Sequence, residues 1–462
     1  MKRITFLLLC AYLPAVVYSQ ISFEKSYSGF PGAKSSHGTC VVQTSDQGYV
    51  ISAAIQKEVQ VSSLMIKTNP AGDTIQTKPI EGVASFFIPT MDGGFLVTGS
   101  QNSQLMMLKM NADFNAEWSN TTGTYGSSGS SVCQTSDSGF CFIGNVGLYP
   151  VPSNQIYAVR TDKHGNILWT KVIGGNQIPL SGSSVITSPD GGFIICGTLA
   201  QAGTSSAFLL KLNSIGDSVW TKAYNRSDLS QGCTVLQSEN NGYMLVGTDD
   251  PADETFLLYL VNTNEQGDTL WTKTYNCLRS PMLPSAAKIS NGGYIAAGTR
   301  NGIADITDVC LIRITENGDT LWTKSVGTLS DEVTMSVKQT LDDGFVVCGY
   351  VSNLPYQESA VYLVKTDSLG QYHPADIGEL PENNGTRLFP NPFKTIINVT
   401  ANDPVQSVEI FNIHGQSVYA VTYQSKDTYH ITISLGNQPD GIYLLKIATD
   451  KTNKTRKLIK IN

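Results

Sequence analysis

Asn317-Gly318-Asp319-Thr320-Leu321-Trp322-Thr323-Lys324 decides the fold, because versions of this phrase recur through most of the chain. Its tryptophan is one of five: Trp118, Trp169, Trp220, Trp271 and Trp322 follow one another at intervals of 51 residues. A fixed period near fifty marks a supersecondary unit stacked in series. Each unit has two halves. The first is an Asp-Gly-Gly type of turn followed by an apolar run, as in Asp190-Gly191-Gly192-Phe193-Ile194-Ile195-Cys196-Gly197. Seven such turns place a glycine before an aromatic residue, at 48, 94, 139, 192, 242, 293 and 344. The second half carries a cation, at Lys67, Lys109, Arg160, Lys211, Arg313 and Lys365, with Asn262 as the departure. A second turn follows, its glycine at 72, 165, 216, 267, 318 and 370, where a left-handed backbone is cheapest for glycine.

Aromatic and β-branched runs bounded by such turns read as four short antiparallel strands per unit, with no helical period anywhere. Seven units of this size predict an all-β, seven-bladed β-propeller. The last unit lacks a tryptophan strand, since the equivalent position is Pro374. Phe23-Glu24-Lys25-Ser26-Tyr27-Ser28-Gly29 lines up with Trp169-Thr170-Lys171-Val172-Ile173-Gly174-Gly175, so the N-terminal strand is predicted to complete the last blade and close the ring. The unit resembles kelch and pyrroloquinoline-quinone-type propeller repeats. It departs from both, having a single glycine before Thr198, Thr248 and Thr299 and lacking adjacent cysteines, and no cofactor is expected. Ser188-Pro189-Asp190-Gly191-Gly192 resembles the Asp-box of sialidases, but Phe193-Ile194 replaces its Thr-Trp ending. These likenesses carry fold and no activity.

Residues 1–19 read as a signal peptide, with Lys2 and Arg3 ahead of an apolar stretch and a small-residue cleavage site before Gln20. A lipoprotein reading through Cys10 is the weaker pattern, because Leu9 is bulky. No later segment has the roughly 20 apolar residues that span a bilayer as a helix. The propeller is placed at 20–370 and a linker at 371–387, rich in Pro, Asn and Gly. Residues 4–383 carry 20 Lys+Arg against 33 Asp+Glu, an acidic body that argues against nucleic acid as partner.

A small non-repeating β domain follows at 388–462. It contains Leu388-Phe389-Pro390-Asn391-Pro392-Phe393, then Gly441-Ile442-Tyr443, then Arg456-Lys457-Leu458-Ile459-Lys460-Ile461. In this order at the C-terminus, these pieces closely resemble the type IX secretion C-terminal sorting domain. Pro390, Asn391, Pro392, Gly441, Tyr443, Lys457 and Lys460 carry the likeness. The resemblance implies an immunoglobulin-like β-sandwich recognised by the type IX machinery, which moves folded cargo from the periplasm through the bacterial outer membrane. Secreted or cell-surface localisation is the expectation. Cleavage of the domain is usual in that family.

Chemistry is sparse. His37, His164, His373, His414 and His430 have no metal-like spacing, and no catalytic triad, phosphate loop or calcium loop can be assembled. No catalytic, cofactor or metal residue is therefore assigned. Asp46, Asp92, Asp190 and Asp342 recur in register at hairpin turns, where capping accounts for them. The tryptophans read as packing between neighbouring sheets rather than a sugar platform. Cys196 and Cys348 share one repeat position and read as small core residues, whereas Cys133 and Cys141 flank one hairpin turn and could oppose each other across it, where a disulfide is strained. The triplets beginning at Asp73, Asp217, Asp268 and Asp319 fit a glycosylation pattern and are equally the repeat turn.

Because connections in a meander alternate between the two ends of the strands, both stereotyped turns share one face of the disc. The irregular loops emerge on the other, where recognition usually lives. Tyr125, Tyr149, Tyr224, Arg226, Arg279, Arg300, Tyr350 and Tyr356 are the candidate ligand-binding residues there. The expected function is a monomeric, non-enzymatic binding or adhesion module for a glycan or a cell-surface or matrix protein. The alternative is a hydrolase or lyase acting on extracellular polysaccharide.

Overall fold

The computed structural model describes residues 21–58, 60–148, 151–175, 179–201, 203–251, 256–278, 284–301, 307–328, 330–352, 358–372, 386–389, 393–401, 403–412, 415–423, 430–449 and 453–460. The chain divides into two compact units, Met1–His373 and Pro374–Asn462. No described residue is helical, and both units are built from antiparallel strands.

The first unit contains seven four-stranded sheets, I to VII in chain order, at 35–80, 83–122, 128–174, 180–224, 230–275, 285–326 and 331–366. Each of the first six runs as a meander, strands a to d. In sheet IV these are Leu180–Thr187, Phe193–Gln201, Thr204–Leu212 and Ser218–Tyr224. Sheet VII supplies three strands of its own, and its fourth place is taken by Phe23–Tyr27. That strand pairs with Ser359–Thr366 in a register from Phe23 opposite Lys365 to Tyr27 opposite Val361.

Burial follows position in the sheet. Strands b and c are apolar runs covered on both faces, such as Phe193–Cys196 and Phe208–Leu210, because another sheet packs on either side. Strand d is a sheet edge and alternates: in Ile167–Gly174 only every second residue is partly covered. Strand a carries a bulge in six sheets, for instance at Ser183 and Met335, and strands c and d shift register right after the cation position in six sheets, as at Lys211/Leu212.

Adjacent sheets are joined by a repeated seam. The glycine of each c–d turn has positive φ, and a Cβ there would meet the aromatic ring of the preceding strand d. Gly165 lies on Trp118, Gly216 on Trp169, Gly267 on Trp220, Gly318 on Trp271 and Gly370 on Trp322. The indole then donates to a carbonyl of the same turn, Trp118 Nε1 to Lys163 O and Trp169 Nε1 to Ser214 O, both at 3.2 Å. Lysines two residues on reach the next turn's aspartate, Lys171 to Asp217 and Lys273 to Asp319 at 2.7 Å. Between sheets VII and I the same places hold Phe23 on Gly72, Lys25 to Asp73 at 3.0 Å, and Tyr27 OH to Gly72 O at 2.7 Å. The seam from I to II differs. Gln76 replaces the aromatic, and Phe114, at φ 62°, replaces the glycine and swings into the core in its stead.

The second unit has a three-stranded sheet, Thr386–Phe389, Ile396–Ala401 and His430–Ser434, and a four-stranded one ordered Ser417–Thr422, Val405–Asn412, Gly441–Thr449, Asn453–Lys460. Both contribute to one buried cluster that includes Ile397, Val399, Ile410, Ile433, Tyr443, Leu445 and Leu458.

Candidate functional site: turn face, loop face and central cavity

On the turn face the recurring carboxylates are consumed by structure. Asp92, Asp137 and Asp190 each accept the amide two residues on, Gly94, Gly139 and Gly192, at 3.1 Å. Each also pairs with the cation of its own strand c: Lys109 at 2.9 Å, Arg160 at 2.6 Å and Lys211 at 2.6 Å. Asp342 pairs with the buried Lys365 at 3.0 Å. Partial burial opposes ionisation of Asp92 and Asp190, but hydrogen bonds outweigh it and hold both carboxyls at about 2. For Asp190 these come from Lys211, Ser188 and the Gly192 amide. The sheet that lacks carboxylate and cation together supports the pairing. Asn240 has no charge to offer, and its sheet has Asn262 in the cation place. In sheet VI the turn has Asn291, and Arg313 instead donates to the carbonyls of Gly292 at 2.6 Å and Ile314 at 2.7 Å.

The loop-face candidates divide. Tyr125 is 81% exposed. Arg300 is partly covered, opposite Asp308 in the register of sheet VI. Tyr350 stacks on His37 across the seam between sheets VII and I, ring centroids 4.2 Å apart, and burial pushes His37 down. Arg226 is tied at 2.9 Å to Asp249, a carboxylate with no exposure that also accepts from Ser227 and Ser230. Tyr224 is no loop residue: it is buried, and its hydroxyl donates to Gly267 O at 2.6 Å. Alternation carries the signal for it, since Trp220, Lys222 and Tyr224 fall on one face of strand d. Tyr149, Arg279 and Tyr356 lie outside the described residues.

The a strands of all seven sheets line a cavity of ≈430 Å³, with Cys40, Phe86, Cys133, Val185, Cys233, Ala286 and Ser336 among its walls. Hydroxyls and aliphatic groups dominate, and Lys338 is the one charged side chain lining it among the described residues. Ser336 Oγ accepts from the Val41 amide at 3.4 Å and Ser131 Oγ from the Val185 amide at 3.3 Å, so wall hydroxyls bridge neighbouring sheets. No group of three or more His, Cys, Asp or Glu side chains among the described residues is placed to hold a metal. One disulfide is present that the spacing of cysteines does not announce: Cys277, between sheets V and VI, is bonded to Cys310 on strand c of sheet VI.

In the second unit, Tyr443 is buried and its hydroxyl donates to Pro439 O at 2.5 Å. Gly441, at φ 150°, starts that strand, and Lys460 reaches Asp440 at 3.1 Å from a nearly covered position. Pro390, Asn391 and Pro392 lie outside the described residues, as does the Lys457 side chain.

Residues 387–462 match the family described as the secretion system C-terminal sorting domain. A domain of this kind indicates export to the cell surface or extracellular space by the type IX machinery. No helix among the described residues is long and apolar enough to cross a membrane. No curated protein matches the sequence. Among solved structures, a streptogramin B lyase is 10% identical, with 74% of this chain and 97% of that chain covered and a TM-score of 0.46. A catalytically inactive virginiamycin B lyase from Staphylococcus aureus with quinupristin is 9% identical, covering 74% and 99%, with a TM-score of 0.46. Drosophila Plexin A in complex with Semaphorin 1b is 9% identical, covering 72% and 87%, with a TM-score of 0.42.

Proposed function

We propose that residues 20–370 form a closed seven-bladed β-propeller that binds a glycan or a cell-surface or matrix protein through its loop face, without catalysing a reaction. A signal peptide at 1–19 starts export, a linker spans 371–387, and the domain at 388–462 delivers the monomeric propeller to the surface or the medium. The observation that carries this reading is the use made of the repeat's charged groups. The turn-face aspartates are engaged in caps and in pairs with covered cations, so the turn face is scaffold, while the opposite face presents Tyr125 almost fully to solvent. An aromatic ring with a polar tip on a rigid frame is the type of group that anchors recognition.

The test is a screen of the exported protein against immobilised glycans and surface fractions, repeated with Tyr125→Ala plus Arg300→Ala and separately with Asp319→Ala. The loop-face pair should abolish binding and leave the melting temperature nearly unchanged. Loss of binding with Asp319→Ala alone would overturn the assignment of faces.

A further inference from the structure

One register row crosses every sheet of the first unit from strand a to the cation position of strand c, which holds Asn262 in sheet V. Its strand a and strand b members are Val42 opposite Val50, Ile88 opposite Leu96, Ile186 opposite Ile194, Leu236 opposite Met244, Ala287 opposite Ile295 and Lys338 opposite Val346. Sheet III alone puts cysteine at both places, Cys133 opposite Cys141. A single cysteine would be an ordinary small core residue. Two departures meeting at one point of the register act as one feature.

Both are free thiols in this structure, and their pairing brings the Cα atoms within reach of a bond, although a direct cross-strand disulfide carries strain. Thr135 N donates to Gly139 O at 2.9 Å and closes the hairpin, so Cys133 and Cys141, two places further on, form a hydrogen-bonded antiparallel pair. Such pairs hold their Cα atoms about 5.5 Å apart, near the commonest spacing in disulfides. Both side chains join the same cluster between sheets III and IV, and their thiols are in hydrogen-bonding contact. Cys141 is fully buried, whereas Cys133 is only partly covered and lines the central cavity.

We infer that Cys133 and Cys141 are a single oxidation site, which closes to a cross-strand disulfide during export and can be reached by small thiols and disulfides through the central cavity. The oxidant is a disulfide, R–S–S–R, of the oxidising compartment the protein crosses. Cys133, as thiolate, attacks one sulfur and expels one thiolate; Cys141 then loses its proton and displaces the second from the mixed disulfide. One Cys–Cys bond and two R–SH form from two Cys–SH and one R–S–S–R, with both protons on the released thiols. Cys133 is the attacking sulfur because it alone of the two reaches the cavity; burial and the neighbouring Cys133 also push the buried Cys141 thiol well up, with the adjacent Arg160 pulling it back.

The exported protein tests this when denatured in iodoacetamide without reductant. Cys133 and Cys141 should escape alkylation, and the peptide containing both should be two hydrogens lighter than its reduced form. After cleavage before Asp137, which lies between them, the two halves should stay together until reduced. Alkylation of both residues overturns the inference. Cys133→Ser should expose Cys141 to alkylation and leave the labelling of Cys40, Cys196, Cys233 and Cys348 unchanged; a Cys141 that stays protected in that variant is bonded elsewhere and overturns the pairing. Under mild reductant the folded protein should open Cys133–Cys141 before the wholly buried Cys277–Cys310. The reverse order overturns access through the cavity.

Discussion

Replacing Gly216 by alanine isolates the seam that repeats between sheets. Gly216 has φ +83°, and a Cβ there would stand 2.9 Å from Trp169 Cζ3 and from Lys171 Cγ. Gly93, in the a–b turn of sheet II, supplies the control: its φ is +81° and a Cβ would meet nothing within 4 Å. Both substitutions force alanine into the left-handed region, at about 1–2 kcal/mol, and both stiffen the unfolded chain alike. Only Gly216→Ala adds overpacking, against the Trp169 ring and the Lys171 stem, at about 1–3 kcal/mol. The expected losses are therefore about 1–2 kcal/mol for Gly93→Ala and about 2–5 kcal/mol for Gly216→Ala. Urea unfolding of each variant, followed by tryptophan fluorescence and circular dichroism, measures the difference. Trp169→Ala in the Gly216→Ala background should recover part of the clash and give a coupling of about 1–3 kcal/mol. Equal losses at Gly93 and Gly216, or strict additivity with Trp169→Ala, would show that glycine stands at 216 for its backbone alone and that the ring contact contributes nothing.

Glu332 has no exposure, takes hydrogen bonds from Thr328 at one oxygen only, and is pushed up to about 7 by burial, with Glu24 and Asp308 adding to the rise. An acid raised in the folded state stabilises fully below about 4.5 and loses that contribution as pH climbs through about 7. Glu332→Gln should thus be close to neutral at pH 4.5 and stabilising by up to about 3 kcal/mol at pH 8.5; no difference between the two pH values in chemical unfolding would refute it. Asp92 and Asp190 shift the other way: their stabilisation is present above about 4 and lost as pH falls toward 2, so Lys211→Met should blunt the acid unfolding of the protein. An acid transition of unchanged steepness in that variant would count against the pair. Truncation after Arg387 should leave a folded first unit that is no longer released, and fractionation finding wild-type amounts outside the cell would contradict the sorting role.

Much of the first unit is legible in the sequence because its turns make demands that few residues meet. A left-handed turn asks for glycine, and an Asp two residues before a free amide caps it, so the turn glycines and Asp46, Asp92, Asp190 and Asp342 announce strand ends. Period-two alternation then gives the faces, and its neglect at the end of strand d is why Tyr224 reads as a loop residue when it is buried over Gly267. The Cys277–Cys310 bond is silent for another reason: Cys277 lies in an irregular connection, where neither alternation nor turn chemistry fixes which strand it meets.

Contacts across seams carry no local signal, because Trp169 and Gly216 answer constraints set by different sheets. They become legible only where the repeat fails. Gln76 for the ring and Phe114 for the glycine look like two unrelated lapses, one in each of two units, until the seam puts them at one place, where a phenylalanine held at φ 62° restores the aromatic volume from the opposite side. Asn240 and Asn262 do the same for charge: the turn has no carboxylate and the cation is absent as well, whereas in sheet VI, beside Asn291, Arg313 is satisfied by the backbone carbonyls it donates to. Cys133 and Cys141 follow that rule within one hairpin. In a chain of near-identical units, a departure that stands alone reads as drift. A departure matched by a second one at the contacting position shows what the contact requires, and the contact itself can be located by asking which lapses come in pairs.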